Sequence, residues 1–444
     1  MSEKKKIQPR IFKGTQDFLP EEMLKKQYLI DRIRAVFMRF GFEPAETPAF
    51  EYYEILMGKY GEEGEKLIYP LAYKGGRTLA LRYDLTVPLA RMMAMHPELP
   101  MPFKRYQIQP VWRAEKAQIR QGRFREFYQC DVDTIGTESM LADAEIIAMI
   151  DHCMRTLGIE NFLTKFSSRK LLYGMALHFG ATDETLGQFT RAIDKLDKIG
   201  IDGVRDELLK SGYSETTATA ICEVISVEGD TETKLARLEK EFGERPETTA
   251  GIDEVRQVGA ALKSLGLDDA HWVFDPALAR GLDYYTGPVF ETVLPDHPHI
   301  GSLAGGGRYD DLIGLYAGRK IPAVGTTVGI DRIITAMTQL GLMPDTGTST
   351  DVLVCLFDAD CTAAALDAAA KMRSAGLNVT NWFEPSKLKK QFNYANKRGI
   401  RVVAVLGPDE VASGEITLKN MTSGEQQNVP LADAADAVKN ILDK

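Results

Sequence analysis

The stretch from Arg105 to Asp133, RYQIQPVWRAEKAQIRQGRFREFYQCDVD, limits the possible folds of this chain more than any other. Both of its ends alternate on a period of two, which predicts two antiparallel strands joined by a long polar loop. On the second strand Arg123, Arg125, Phe127, Gln129, Asp131 and Asp133 share one face, while Phe124, Glu126, Tyr128, Cys130 and Val132 share the other. On the first strand Arg105, Gln107, Gln109 and Arg113 lie opposite Tyr106, Ile108 and Trp112. A solvated outer face of an ordinary sheet would explain the charges, but such a face usually mixes Lys, Glu, Thr and Ser. Here the groups are sorted, with guanidinium at one end, a ring in the middle, and amide and carboxylates at the other. That order suits a site holding phosphates at one end and a cationic or hydrogen-bonding ligand at the other. Arg123 to Gln129 spans roughly 20 Å at about 3.3 Å per residue, the length of a nucleotide with a small molecule attached.

The rest of the chain is arranged around this hairpin. Pro20-Glu21-Glu22 opens a helix whose apolar face is Leu29, Ile33, Val36, Phe37 and Phe40, with Gly41 as its cap. GFEPAETPAFE (41–51) is extended, and its prolines confine it to an edge or an interface between copies. LALRYDLTVPLARMMAM (79–95) places a short strand before a helix, with Asp84 and Thr86 at the turn, where both also serve as ordinary capping residues. Thr137 to Leu157 reads as a helix with Leu141, Ile146, Ile147 and Ile150 on its apolar side. From about Lys165 to Gly266 the chain is charged and helical and has no sorted motif. ARGLDYYTG (279–287) then lies between two strand-like runs, and AGGGRYDDLI (304–313) has three glycines that let backbone approach something closely. VGTTVGIDRIITAM (324–337) is a small-residue strand entering a helix with Arg332 near its start. Beyond the polar stretch 341–350, β and α segments alternate as in a small α/β domain with a largely parallel sheet. Its basic helix, SKLKKQFNYANKRG (386–399), carries Lys387, Lys389 and Lys390.

Composition narrows the class. With 444 residues, 44% hydrophobic and 26% charged, the chain is long enough for two or three globular domains. No apolar run approaches the length of a membrane span. MSEKKKIQPR has no hydrophobic segment behind its lysines, so it reads as a short mobile tail and not a secretory signal. A net charge of −9 argues against a non-specific nucleic-acid coat, though not against local basic patches. Five cysteines with no Cys-x-x-Cys fit free thiols in a reducing cytoplasm. No protein ligand set for a metal is visible, His297 and His299 reading as turn residues.

No GxxxxGK[ST] loop is present, so arginine side chains must hold the phosphates of any bound nucleotide, with Mg²⁺ assisting. The candidates are Arg113, Arg123, Arg280 and Arg332, and Phe127 offers a stacking surface for a base. No Ser-His-Asp or Cys-His pair provides a nucleophile. Catalysis would rest on positioning two substrates and stabilising charge at phosphorus.

These residues resemble the class II aminoacyl-tRNA synthetases, and closely the histidyl-tRNA synthetase family, over nearly the whole chain. GFEPAETPAFE is similar to the first class-defining motif, the dimer strand with its proline at Pro48. The central hairpin is similar to the second, and GTTVGIDRI to the third, with Arg332 as its arginine. ARGLDYYTGPVFE and AGGGRYDDLI resemble the two histidine-specific motifs, and the tail resembles the anticodon-binding domain shared with other synthetases. The resemblance implies a reaction in which histidine and ATP give histidyl-adenylate, whose histidyl group then passes to the 3′ end of its tRNA. It implies that Arg113 holds the α-phosphate, Glu115 contacts the adenine amino group and Arg123 meets the outer phosphates. Phe127 and Arg332 would sandwich the adenine. Asp84, Leu85, Thr86 and Gln129 would frame the amino acid's backbone groups. Asp133 and Tyr284, with Tyr285 beside them, would bind the imidazole. Arg280 would sit between carboxylate and α-phosphate. Aspartates at 84 and 133, where many bacterial relatives carry Glu, look more like the eukaryotic branch.

The expected architecture is an α+β catalytic domain on an antiparallel sheet flanked by helices (1–164 and 267–340), a helical insertion (165–266), a linker (341–350) and an α/β anticodon-binding domain (351–444). A cytoplasmic homodimer using ATP, Mg²⁺, L-histidine and tRNA-His is implied, with the loop 116–122 near the acceptor end of the tRNA and helix 386–399 near its anticodon. Two alternatives differ in class. A non-catalytic histidine-sensing paralogue would typically lack the C-terminal domain and erode the arginines. A kinase-linked RNA-binding module would need a kinase segment that is not visible.

Overall fold

A computed structural model describes residues 7–57, 66–72, 75–116, 124–182, 184–279, 284–345 and 347–443. The chain forms two compact units, Met1–Gln16 with Leu29–Met343, and Asp17–Tyr28 with Pro344–Lys444. The division after Met343 falls within the stretch read as a linker. The first turns of helix α1 (Pro20–Arg39) group with the C-terminal unit, whereas the sequence reading assigned residues 17–28 to the catalytic domain. Within that unit Pro20, Met23, Leu24 and Gln27 line a pocket with Gly347, Thr348, Ser349 and Arg398.

The first unit is built on an eight-stranded sheet. After α1 come β1 (Glu43–Pro44), β2 (Phe50–Tyr52), the short helix α2 (Tyr53–Met57), β3 (Tyr69–Ala72), β4 (Thr78–Leu81) and α3 (Thr86–Met95). The central hairpin follows as β5 (Phe103–Trp112) and β6 (Glu126–Ile135), then α4 (Met140–Thr156) and β7 (Leu163–Ser168). Strands β8 (Trp272–Phe274), β9 (Pro288–Val293), β10 (Ala304–Arg308) and β11 (Ala323–Val328) complete the sheet in the order β1-β5-β6-β11-β10-β9-β7-β8. All central pairings are antiparallel, and only β1 on β5 and β8 on β7 run parallel. Between β7 and β8 lie α5 (Arg169–His178), α6 (Leu186–Ile193), α7 (Leu196–Lys210), α8 (Glu215–Ile225), α9 (Thr231–Phe242) and α10 (Pro246–Ser264). Because β7 belongs to the sheet through Ser168, the helical stretch starts at Arg169, a few residues later than the sequence boundary. Gly251 of α10 touches α5 so closely that a β-carbon there would lie 2.3 Å from the Leu171 nitrogen. Helices α11 (Gly314–Ala317) and α12 (Ile330–Gln339) flank β11 in sequence. A smaller sheet, β2-β4-β3, carries the turn that enters α3.

The glycines of AGGGR allow β10 to lie against its neighbours. A β-carbon on Gly306 would lie 2.0 Å from the Gly325 carbonyl oxygen of β11, and one on Gly307 would lie 2.7 Å from the Pro288 oxygen of β9. What the glycines approach is therefore sheet backbone.

In the second unit β12 (Val352–Val354), α13 (Thr362–Ser374), β13 (Val379–Asn381), α14 (Leu388–Lys397), β14 (Val402–Val405), α15 (Pro408–Ser413), β15 (Glu415–Asn420), β16 (Gln426–Pro430) and α16 (Ala434–Leu442) follow in order. The sheet runs β13-β12-β14-β15-β16, parallel for the first three strands and antiparallel for the closing hairpin. Val352, Val354, Ala368, Met372, Val402, Ala404, Ile416 and Leu418 form its core on one side. No described helix is long and apolar enough to cross a membrane.

Candidate active site

The register of the central hairpin sets the polar groups in a row. Arg105 pairs with Asp133, Gln107 with Asp131 and Gln109 with Gln129. Arg105, Gln107, Gln129, Asp131 and Asp133 are all buried, so this is no solvated outer face. Alternation of polar and apolar residues is the same for a wet face and a covered one, and only tertiary packing separates them. Arg105 Nη2 lies 2.8 Å from Asp133 Oδ2. Arg105 Nη1 donates to Gln107 Oε1 at 3.0 Å, and Gln107 Nε2 donates to Thr47 Oγ1 at 2.9 Å and Gln109 Oε1 at 2.6 Å. Arg82 donates to Gln109 Oε1 at 2.7 Å and to the carbonyls of Pro48 and Pro110, tying the Pro-marked segment to β5. Burial pulls the Arg82 pKa down. The sequence reading passed over Arg82 and gave Arg105 no role of its own.

Next along β6, the Thr327 hydroxyl of β11 donates to Asp131 at 2.6 Å, and Gln129 Nε2 reaches the same hydroxyl oxygen at 3.4 Å. Gln129 Oε1 is buried and has no hydrogen-bond partner among the described residues. A buried carbonyl oxygen left in this way wants an N–H from elsewhere. Burial pushes Asp131 up to about 7, with Arg105 opposing and the charges of Asp133 and Asp84 adding to the rise. Burial also raises Asp133, against the pull of Arg105 and of a hydrogen bond from Tyr309. Asp131 and Asp133 thus share the Arg105 guanidinium while Asp84 adds negative charge, which suits a cationic ligand.

Asp84 is buried, and its Oδ1 accepts the Val87 N–H at 3.1 Å, so the capping role is real. Leu85 is buried and its carbonyl accepts from Arg105 Nη2 at 3.4 Å, while Thr86 is half-buried as the first residue of α3. The turn at 84–86 is thereby linked to the Asp133 end of the hairpin.

Tyr309, which the sequence reading did not single out, donates its hydroxyl to Asp133 Oδ1. Tyr284 meets Tyr309 edge to face with ring centroids 5.9 Å apart, and Tyr285 stands 4.5 Å from Tyr284. The structure therefore brings Asp133, Tyr284 and Tyr285 together through a third tyrosine. The available signal was its place directly after Arg308 at the end of the glycine strand.

At the other end of the hairpin, the Arg113 guanidinium lies 5.0 Å from the Phe127 ring centroid and its Nε donates to the Tyr83 carbonyl at 3.1 Å. Glu115 is half-buried and its backbone oxygen accepts from Arg125 Nε at 3.0 Å. Because β11 runs antiparallel to β6, its exit into α12 lies at the Phe127 end, where Arg332 Nη1 donates to the Ser302 carbonyl at 2.8 Å. Phe127 and Asp133, six residues apart on one strand, are separated by roughly 20 Å. Arg123, Arg280 and residues 117–122 of the proposed acceptor loop lie outside the described residues.

Arg308 is a structural cation. Its Nε lies 3.2 Å from Asp143 Oδ2, and its Nη atoms donate to the carbonyls of Thr137 and Ser139. In the C-terminal unit Lys387, Lys389 and Lys390 are exposed at the start of α14, and Lys390 Nζ lies 5.5 Å from the Trp382 ring centroid.

Comparison with known proteins bears on the family and the fold. The family model described as histidyl-tRNA synthetase matches residues 14–333, and the one described as anticodon binding domain matches residues 351–441. A histidine–tRNA ligase of Aeropyrum pernix is 44% identical over 437 residues, covering 98% of each chain. One from Gloeobacter violaceus is 40% identical over 461 residues, covering 97% of this chain and 98% of its own. The crystal structure of histidyl-tRNA synthetase from Nostoc sp. PCC 7120 superposes with a TM-score of 0.87 at 35% identity, covering 98% of this chain and all 100% of that one. A Bacillus halodurans structure titled as an ATP phosphoribosyltransferase regulatory subunit/histidyl-tRNA synthetase shares the fold at 22% identity, TM-score 0.72, over 87% of this chain and 97% of its own. The matched length, the identity and the two successive domains place the chain in one family: it belongs to the histidyl-tRNA synthetases.

Proposed function

We infer that this chain acts as a histidine–tRNA ligase, and that the sorted row on β5 and β6 is its two-substrate site. The histidine carboxylate attacks the α-phosphorus of ATP, forming the mixed anhydride and releasing pyrophosphate. A hydroxyl of the terminal tRNA adenosine then attacks the histidyl carbonyl carbon, and AMP leaves. The observation that carries the reading is Asp133, a buried carboxylate held between Arg105 and Tyr309, on the same strand and face as Gln129, whose Oε1 has no partner among the described residues. A fixed anionic acceptor there suits one imidazole N–H, and Tyr284 and Tyr285 supply hydroxyls for the other nitrogen. Asp84, Leu85, Thr86 and Gln129 border the place for the amino acid's ammonium and carboxylate. A pocket made of such partners rejects analogues lacking them by large factors.

At the other end Arg113 would hold the α-phosphate, Phe127 and Arg332 would sandwich the adenine, Glu115 would accept from its amino group, and Arg123 would meet the outer phosphates. Arg280 would stabilise the charge developing between carboxylate and phosphorus. Mg²⁺ would arrive on the ATP, since this ion keeps phosphate and water as most of its ligands. Lys387, Lys389 and Lys390 would attract the anticodon arm of tRNA-His. Phe50 and Tyr52, exposed on β2 beside the Pro48 segment, fit an interface with a second copy, and the free buried thiols fit a reducing cytoplasm.

Pyrophosphate exchange measured with each of the twenty amino acids, with and without tRNA, tests the reading. Exchange supported by histidine alone is expected. Exchange with another amino acid, or with none, would overturn it.

A further inference from the structure

The reading above leaves Arg105 unused, yet Arg105 is among the most enclosed side chains in the molecule, with no exposed surface. We propose that Arg105 is a specificity-determining positioning residue, which touches neither substrate but fixes Asp133 as the anionic acceptor on which histidine binding depends. The proposal rests on the assignment of Asp133 to the imidazole.

Three observations support it. Arg105 and Asp133 are direct cross-strand partners, and an aspartate keeps its carboxylate one methylene nearer the strand than a glutamate would. The arginine opposite can therefore reach it, and Nη2 lies 2.8 Å from Oδ2. The guanidinium is itself held, by Gln107 Oε1 at 3.0 Å and the Leu85 carbonyl at 3.4 Å. Gln107 is anchored in turn by Thr47 and Gln109. One buried cation thus joins the acceptor strand to the turn at 84–86, whose residues the proposed function sets around the same amino acid.

The charges around Asp133 give the arrangement a pH signature. Arg105 faces it from β5, Tyr309 donates to it from the end of β10, Asp131 lies two residues before it on β6, and Asp84 acts on it from the turn before α3. Tyr285 lies near enough to Tyr309 to affect that hydroxyl, and β11 contributes the uncharged Gly325 opposite. With Arg105 removed, burial and the remaining carboxylates would keep Asp133 protonated to higher pH.

The test is histidine-dependent pyrophosphate exchange by the full chain as wild type, Arg105→Met and Arg105→Lys, followed from about pH 6 to about pH 9. Arg105→Met is expected to raise the KM for histidine roughly 10- to 100-fold with the KM for ATP changed less than about twofold. The ratio of variant to wild-type kcat/KM should recover as pH rises, and Arg105→Lys should restore most of the loss. Equal changes in both KM values, a loss independent of pH, or no rescue by lysine would overturn the proposal. Should Arg105→Met fail to fold, the pair Arg105→Met/Asp133→Asn removes both charges together. Its histidine KM is expected to equal that of Asp133→Asn alone, and a further additive loss would overturn the proposal. A wild type without histidine-dependent exchange would instead overturn the functional reading beneath it.

Discussion

Gly325 stands directly across from Asp133 in the β6–β11 pairing, and a β-carbon at Gly325 would lie 2.0 Å from Asp133 Oδ1. The space for the carboxylate is therefore the side chain that Gly325 lacks. Gly325→Ala would push Asp133 away from Tyr309 or strain the strand pair, at a cost of about 1–3 kcal/mol. The expected kinetic result is a histidine KM at least about tenfold higher with the ATP KM nearly unchanged. Steady-state exchange checks this, and a normal histidine KM would show that the contact does not matter.

Asp131 gives the site a pH-dependent cost. Its pKa is about 7 in the folded chain against an ordinary value of 3.8, mainly through burial. Between those values the folded chain binds more protons than the unfolded chain, so stability falls as pH rises through the interval and levels off above it. Asp131→Asn removes the titration. Its Tm should exceed that of wild type by roughly 2–5 °C near pH 8 and match it near pH 4. A thermal melt series with the opposite trend would contradict the assignment.

Arg308 and Asp143 form a pair in which both side chains are essentially unexposed, and burial pushes Asp143 up to about 6 against the pull of Arg308. Arg308→Met strands that carboxylate and removes a donor from the Thr137 carbonyl, while the Ser139 carbonyl keeps the Ala142 N–H at 3.1 Å. A stability loss of about 3–5 kcal/mol is expected at neutral pH. It should shrink as pH falls toward about 6, because without Arg308 the stranded group takes up a proton at a higher pH than in wild type. Denaturant titration at two pH values measures both effects.

The hairpin and the strand-to-helix turn at Asp84 were legible because alternation and turn chemistry are local, whereas AGGGRYDDLI read only as glycines approaching something closely, and its AGGGR forms strand β10. What covers the polar face was not, since Tyr309 reaches Asp133 across 176 residues of chain. Leu141 fits the helical apolar pattern but is exposed. Ile146, Ile147 and Ile150 are buried as read, and the buried side of α4 also takes in Met140, Asp143 and Ala144, with Asp143 paired to Arg308. The apolar face read for α1 starts at Leu29, and residues 17–28 group with the other unit, a division that the reading of one continuous helix did not draw. Paired charges buried on a sheet are invisible to any reading that treats charge as surface.

Arg280 carries the proposed charge stabilisation during activation. Arg280→Ala is expected to abolish histidine-dependent exchange while leaving the melting curve and hydrodynamic size as in wild type. Near-normal exchange would remove Arg280 from the chemistry.

Substrate constants of Asp133→Ala in pyrophosphate exchange bear most directly on the claim that the buried carboxylate row is a histidine pocket beside an ATP site. The expected result is a histidine KM raised by roughly 100-fold or more with an ATP KM within about twofold of wild type. Equal increases in the two constants, or none in either, would contradict it.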